Sequence, residues 1–218
     1  MHDKRNLLLS PEQPTINWKM AETNSLLIVG ATGLIGTYIL NAILSAQPPF
    51  QKVGIFTSPG TAESKKALIQ DLESKGVQIH VGDIKNADDV SKAYAAGYDT
   101  VVSALGRPMI AEQILLLDLA EKTPSIKKFF PSEYGTDIEY GPKSKDEHPH
   151  QLKLKVRKHI RENIKRLEIT YLVTGPFAEG YVGKASGDER SGSIDVKAKK
   201  AVLLGTGKEK ISLITMPE

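Results

Sequence analysis

With 218 residues, 40% of them hydrophobic and 25% charged, the chain has the size and composition of an ordinary globular protein with one sizeable core. Its 29 basic residues are nearly matched by 26 acidic ones, so the net charge of +3 gives no argument for nucleic acid as a partner. The absence of cysteine excludes disulfides and thiolate catalysis, and no apolar run approaches the ~18 residues of a membrane span. We therefore expect a cytoplasmic protein with no membrane partner.

The first element predicted from the sequence is a buried strand at Leu26–Val29. Residues 1–23, before it, carry prolines and polar residues without a sustained period, so we expect a disordered extension. The all-apolar run is typical of a strand covered on both faces of a parallel sheet. A glycine-punctuated segment leads from it directly into a helical pattern, which predicts a strand, a tight turn and the start of a helix.

The segment from Gly30 to Gly36 has the spacing GxxGxxG, a variant found in extended short-chain dehydrogenases. At such a turn Gly30 lets the chain reverse, Gly33 lets the backbone approach a pyrophosphate, and Gly36 lets the helix pack close to the strand. The helix N-terminus offers N–H groups and a partial positive charge to the anion. A purely structural glycine turn is the alternative. The candidate cofactor-binding residues of this segment are Gly30, Thr32, Gly33, Leu34, Ile35 and Gly36.

Strands and helices alternate strictly from this turn to about residue 131. Strands are predicted at 52–57, 77–81, 100–105 and 127–131, and helices at 37–46, 62–75, 88–96 and 110–122. This alternation is typical of an α/β fold, a Rossmann-type doubly wound parallel sheet.

The second half of the chain is less regular. Residues 136–151 are rich in Gly, Pro, Lys, Asp and His, which predicts a surface loop able to cover a ligand. A basic helix at 152–166 and a strand at 169–174 follow, and Gly175-Pro176-Phe177 breaks that strand. A second loop is predicted at 186–193, and late strands are predicted at 200–205 and 211–215.

Three segments together resemble the isoflavone reductase-like family, which lies near the NmrA-like proteins among the atypical short-chain dehydrogenases. They are the glycine segment, Lys-Leu-Lys-Val-Arg-Lys at 153–158, and Phe-Pro-Ser-Glu-Tyr-Gly at 130–135, which is close to the family's Leu-Pro-Ser-Glu-Phe-Gly. The resemblance implies an NADPH-dependent reductase with a Rossmann domain, here residues 24–175, and part of a smaller C-terminal substrate domain, here 176–218. Because such chains continue further, we expect a truncated chain that exposes apolar surface and self-associates, for example as a homodimer.

The end of the second strand indicates NADP(H) as the cofactor. An NAD-specific fold usually places an acid there, whereas this chain has Thr57 and Ser58, and then Lys65. The resemblance implies that Lys65 reaches the 2′-phosphate, while the arginine that relatives often carry is replaced by Thr57. The alternative is that Lys65 is a solvated helix residue.

Further candidate cofactor-binding residues follow strands four and five, because ligands bind at the carboxyl edge of an open parallel sheet. They are Ser103, Ala104, Leu105, Ser132 and Glu133. The small residues after strand four could equally reflect packing, and Glu133 could serve only to brace a loop.

The candidate catalytic residue is Lys153. Ordinary short-chain dehydrogenases use a Tyr-x-x-x-Lys pair, but here the residue four before Lys153 is Pro149. The resemblance implies that Lys153 itself acts as general acid or base while nicotinamide delivers hydride. This role requires burial or nearby positive charge to lower the pKa of the lysine. The candidates for that charge are Lys155, Arg157, Lys158 and His159. Alternatively, Lys153 is one exposed cation on a basic helix.

Two functions follow as hypotheses. One is an NADPH-dependent reductase of a small aromatic or conjugated substrate, with Lys153 as proton donor or acceptor. The other is an NmrA-like sensor that binds the dinucleotide and reports redox state to a partner protein without turnover. The presence of Lys153 in its motif favours the enzyme. No metal is predicted, because His148 and His150, spaced by two, make a poor metal site.

Overall fold

The computed structural model describes residues 24–146, 148–178, 193–195, 197–202, 206, 208, 210 and 213–215. Its main feature is a six-stranded parallel sheet in the order β3-β2-β1-β4-β5-β6. The strands are β1 Ser25–Val29, β2 Lys52–Thr57, β3 Gln78–Val81, β4 Thr100–Ser103, β5 Lys128–Phe130 and β6 Glu168–Ile169. This sheet confirms the predicted doubly wound fold.

Helices cover both faces of the sheet. They are α1 Leu34–Leu44, α2 Pro59–Ser64, α3 Lys66–Ser74, α4 Ala87–Ala95, α5 Gln113–Lys122 and α6 His148–Asn163, with 3-10 helices at Arg107–Glu112 and Pro142–Asp146. One core cluster joins Leu27 and Val29 to α4, α5 and α6, and the other joins Leu26 and Ile28 to α1 and α3. Successive side chains of β1 therefore enter different cores, which is why this strand is apolar from Leu26 to Val29.

The predicted helix at 62–75 is two helices, α2 and α3, with a break at Lys65. The backbone of Lys65 leaves the helical region, at φ −114° and ψ 31°. The two helices differ in what they bury: α2 has no buried residue, whereas α3 buries Ile69 and Leu72 against the sheet. The apolar periodicity that stabilises a helix on a sheet is thus confined to α3. Gly76 follows α3 with φ +82°, a left-handed conformation that suits glycine at the end of a helix.

The strand predicted at 169–174 is much shorter than expected. Only Glu168 and Ile169 pair with β5, because β5 ends at Phe130 and Pro131 follows it. Among the described late residues, β7 Ser193–Asp195 pairs antiparallel with β8 Lys200–Val202, and Ile214 bridges Phe177. The predicted extension 1–23 lies outside the described residues, as do residues 186–192 of the predicted loop at 186–193. The same is true of residues 203–205 of the strand predicted at 200–205 and residues 211–212 of the strand predicted at 211–215.

The segment predicted as a loop at 136–151 is partly helical. It contains the 3-10 helix Pro142–Asp146, and α6 begins at His148 rather than at residue 152. Ser144 and His150 are both buried and lie 2.8 Å apart between hydroxyl Oγ and ring Nδ1, which ties the 3-10 helix to the first turn of α6. The periodicity of apolar residues in the sequence does not predict such a tertiary contact.

Candidate active site

The glycine turn after β1 is set by the backbone. Gly30 has φ +85°, and a Cβ there would lie 2.7 Å from the carbonyl oxygen of Ala104. A Cβ on Gly36 would lie 2.1 Å from the carbonyl oxygen of Gly30, so α1 packs directly on the turn. A Cβ on Gly33 would meet only the Gly30 oxygen, at 3.2 Å. Gly30 and Gly36 are therefore required by the chain's own packing, whereas Gly33 is exposed and faces free space beyond that one oxygen.

The N-terminus of α1 opens into that space. Gly33 is its N-cap, with no side-chain hydrogen bond to the free backbone N–H groups and no acidic residue in the first turn. These N–H groups and the positive end of the helix dipole favour an anion. Leu34 is exposed, and Thr32 and Ile35 are partly buried beside it.

The carboxyl end of β2 carries no carboxylate. Thr57 is buried, and the hydroxyl of Ser58 caps α2 by accepting a hydrogen bond from the Thr61 N–H at 3.2 Å. The Lys65 ammonium donates to the carbonyl oxygen of Thr32 at 2.5 Å. The break between α2 and α3 thus brings a cation across to the glycine turn, while the Ser58 hydroxyl is used for helix capping. The binding of a phosphate by Lys65 stays a prediction.

The ends of β4 and β5 are joined by hydrogen bonds. Ser132 donates from its hydroxyl to the Leu105 carbonyl at 2.9 Å and from its backbone N–H to the Gln113 amide oxygen at 2.7 Å. Ala104 donates its N–H to Val29 at 2.7 Å. Ser103 is fully buried, and its hydroxyl lacks a hydrogen-bond partner among the described residues. Sequence reasoning missed Gln113, whose only signal was a polar residue directly before the apolar run 114–117.

Lys153 lies half-buried on α6, with its ammonium beside Gly135. A Cβ built on Gly135 would lie 3.9 Å from Nζ of the lysine. Burial lowers the pKa of Lys153; the Glu133 carboxylate opposes this, and the Arg157 and Arg107 guanidinium groups lower it further. Burial and neighbouring positive charge are the two conditions set for a lysine that exchanges protons near neutral pH.

Of the four cations proposed to act on Lys153, only Arg157 has this effect. Lys155 is exposed, Lys158 pairs with Glu162 at 3.8 Å on the exposed side, and the His159 ring lies 2.7 Å from the Asp118 carboxylate. The second cation is instead Arg107, at the start of the 3-10 helix that follows β4 and packs against α6. Its position four residues after the carboxyl end of β4 was the available sequence signal.

Glu133 is buried in an ion pair. Its two carboxylate oxygens accept from Nε and Nη2 of Arg157 at 3.2 and 3.1 Å. The same guanidinium donates to Glu139 at 2.8 Å. Burial by itself lowers the pKa of Arg157, but the hydrogen bonds to both carboxylates outweigh it and raise the pKa. The bracing role considered for Glu133 therefore has a partner in the structure.

A groove of about 850 Å³ runs along α1, on the face of the sheet opposite to α6. Its lining includes Ile35, Tyr38, Tyr134, Leu172 and Phe177, and is mainly apolar.

Among the described residues there is no group of three His, Asp or Glu side chains arranged to hold a metal ion. No helix in the described part of the chain is long and apolar enough to cross a membrane.

The sheet order, the glycine turn and the open N-terminus of α1 define a Rossmann-type nucleotide-binding fold. The profile of the NmrA-like family matches residues 22–190, and the chain belongs to this family. Isoflavone reductase of Medicago sativa is 29% identical over 209 residues, which cover 90% of this chain and 63% of that relative.

Solved structures agree with this assignment. An isoflavone reductase superposes with a TM-score of 0.70 at 26% identity, over 90% of this chain and 62% of the other. The leucoanthocyanidin reductase of Vitis vinifera, solved with NADPH, has a TM-score of 0.57 at 31% identity, over 67% of this chain and 48% of the other. The present chain spans less than two thirds of the length of each of these three relatives.

Proposed function

We propose that this protein binds NADP(H) at the glycine turn and reduces a small aromatic or conjugated molecule, with Lys153 exchanging the proton. The observation that carries the proposal is the half-buried Lys153 ammonium, held beside Gly135 with a lowered pKa at the edge where a Rossmann fold binds its ligand. The relatives named isoflavone and leucoanthocyanidin reductase support the choice of an aromatic substrate.

The residues present fit the cofactor. Gly33 leaves open space at the N-terminus of α1, where the backbone N–H groups suit a pyrophosphate. Lys65, held at Thr32 with no acid at the end of β2, suits the 2′-phosphate that distinguishes NADP from NAD. Bound NADPH supplies a hydride.

The chain's own residues divide the remaining work. Gly30 and Gly36 hold the turn, the α1 N-terminus binds the anion, and Lys65 selects the phosphate. Lys153 gives a proton to, or takes one from, the reacting atom at its Nζ. A lysine with a lowered pKa serves this step better than an ordinary one, because both protonation states become accessible closer to neutral pH.

A regulator that binds the dinucleotide without turnover is the second candidate. It is favoured by one observation: the features that fit the cofactor, which are Gly33, the N-terminus of α1 and Lys65, all lie between β1 and α3, far from Lys153 in the sequence. In that case Lys153 would have no role in turnover, and binding alone would alter the affinity for a partner protein.

The test separates binding from turnover. NADPH and NADH affinities are measured by fluorescence titration, and NADPH consumption is followed by absorbance with a panel of aromatic ethers, enones and isoflavonoids. If the protein is a reductase, we expect it to bind NADPH more tightly than NADH and to consume NADPH slowly with at least one compound of the panel. Lys153→Ala should abolish this consumption, and Lys155→Ala should retain it. Binding without consumption across the panel would support the regulator. Failure to bind either nucleotide would overturn both.

A further inference from the structure

The ionic cluster next to Lys153 has no part in the function proposed so far. Arg157 is 5% exposed and Glu133 is 1% exposed, and the two meet through paired hydrogen bonds of 3.2 and 3.1 Å. Glu139 accepts from the same guanidinium at 2.8 Å, and the Asp137 carboxylate lies 3.6 Å from it. One buried guanidinium thus holds three carboxylates.

The cluster joins three separate parts of the fold. Glu133 follows β5, Glu139 belongs to the segment that leads to the second 3-10 helix, and Arg157 is on α6. The ring of Tyr171, after β6, lies under the guanidinium with its centroid 4.8 Å from Cζ. A planar guanidinium can pair with a carboxylate through two bonds and stack on a ring at once, which an ammonium cannot do.

The same cluster determines what surrounds Lys153. Arg157 follows Lys153 by four residues, so both side chains project from one face of α6. Gly135 follows Glu133 by two residues, faces the Lys153 ammonium, and accepts a hydrogen bond from the Gly175 N–H at 2.8 Å. Fixing Glu133 against α6 therefore also fixes the backbone that the ammonium contacts.

We propose that Arg157 is a positioning residue for Lys153: by pairing with Glu133 it holds the turn after β5 against α6 and keeps the Lys153 ammonium beside Gly135. The inference rests on the proposed function of Lys153. A purely structural role would be served as well by apolar side chains of similar volume, since a buried ion pair adds little stability over them.

Charge gives the proposal a distinctive signature. The charged groups that act on Lys153 are Glu133 after β5, Arg157 on α6 and Arg107 on the 3-10 helix after β4. Glu133 and Arg157 act in opposite directions, although they are partners in one ion pair. Loss of Arg157 should therefore make Lys153 hold its proton more tightly, and loss of Glu133 should make it release the proton more readily.

The first experiment measures the titration of Lys153 without any substrate. Each lysine is labelled with an amine-reactive reagent over a range of pH, and the extent is read by mass spectrometry. Relative to wild type, the midpoint for Lys153 should rise by about half to one pH unit in Arg157→Met and fall by a similar amount in Glu133→Gln. Arg161→Met is the matched control, because Arg161 also bonds Glu139, at 2.6 Å, yet is exposed and does not act on Lys153.

A second pair of variants addresses folding. A single variant could lose its fold because one buried charge is left unpaired. The double variant Glu133→Gln with Arg157→Met avoids this, because it removes both charges. Arg157→Lys keeps the positive charge but loses the paired hydrogen bonds of the guanidinium. Both should keep the far-ultraviolet dichroism and NADPH affinity, while kcat falls about tenfold or more and KM changes little.

The outcomes separate this inference from the proposed function. Wild-type kcat in the double variant, or an unchanged Lys153 midpoint in both single variants, would overturn the positioning role. If no substrate is ever reduced, opposite shifts of the midpoint would still support the Glu133–Arg157 arrangement, and the proposed reductase activity alone would fail.

Discussion

The glycine turn and the Lys153 region lie at the same edge of the sheet but keep their geometry by different means. At the turn, residues without side chains fix the backbone: any Cβ on Gly30 or Gly36 would overlap a main-chain atom. Around Lys153, long charged side chains are held by one another, through the buried pair of Glu133 and Arg157. The geometry of the turn thus depends on the absence of side chains at Gly30 and Gly36. The geometry around Lys153 depends on the opposite charges of Glu133 and Arg157.

This difference predicts how each region responds to substitution. The turn should respond to added volume, because the proposed anion site lies at Gly33 and the space at Gly36 is filled. The Lys153 region should respond to altered charge or hydrogen bonding, because burial and neighbouring charges together determine its protonation. Four predictions sharpen or break this contrast.

The largest effect is expected for Lys153→Ala. Removing a positioned acid or base should lower turnover by about 10²–10⁴-fold, while the affinity for NADPH stays within a few fold. Lys153→Arg should not restore turnover, since a guanidinium does not release its proton near neutral pH. Steady-state kinetics with a substrate from the panel provide the measurement, and Lys155→Ala is the matched exposed control. Wild-type turnover in Lys153→Ala would make Lys153 a surface cation.

Gly33→Val should weaken binding of both NADPH and NADH about a hundredfold or more, because the side chain occupies the space of the pyrophosphate. The fold should persist, since Gly33 has an extended φ of −79° that valine also adopts. Gly36→Ala should instead lower the free energy of unfolding, by about 1–3 kcal/mol, because its Cβ overlaps the Gly30 oxygen. Nucleotide titration and urea unfolding distinguish the effects of the two variants. Gly60→Val is the control, because a Cβ on Gly60 would meet no atom within 4 Å. Normal binding by Gly33→Val would make the turn purely structural.

The contrast also explains what could be predicted from the sequence. Apart from the approach of Ala104 to Gly30, the constraints on the glycine turn act within seven residues, so spacing alone indicated the strand, the turn and the helix. Glu133 and Arg157 are 24 residues apart, and Arg107 approaches Lys153 only because its 3-10 helix packs on α6. Such contacts follow from tertiary packing, which periodicity does not encode. The same limit accounts for β6, whose length depends on where its neighbour β5 ends.

Lys65→Met should lower the preference for NADPH over NADH about tenfold, and the remaining preference should depend less on salt. The reason is that Lys65 reaches the glycine turn by its side chain alone, through the 2.5 Å contact with Thr32. Lys66→Met, the neighbouring exposed lysine, is the control. Paired titrations with both nucleotides at low and high ionic strength give the answer. An unchanged preference would assign the phosphate to other groups and leave Lys65 as a solvated cation.

The smallest effect, and the one that needs no ligand, is on stability. Burial lowers the pKa of Lys153 below its ordinary 10.5, so between the two values the unfolded chain binds more protons than the folded one. Folding stability must therefore rise with pH across that window, and the full penalty of the buried ammonium is present below it. Lys153→Met should accordingly raise the free energy of unfolding at pH 7, by about 0.5–1 kcal/mol.

That gain should shrink as the pH rises towards 10.5, because wild type then loses its buried charge and methionine has none to lose. Urea unfolding at pH 7 and at about pH 9.5 measures it, with exposed Lys155→Met expected to change nothing at either pH. A loss of stability in Lys153→Met at pH 7 would mean that attraction to Glu133 exceeds the cost of burial. The ammonium would then be a stabilising member of the ionic cluster, held by its attraction to Glu133 and not buried at a cost in stability.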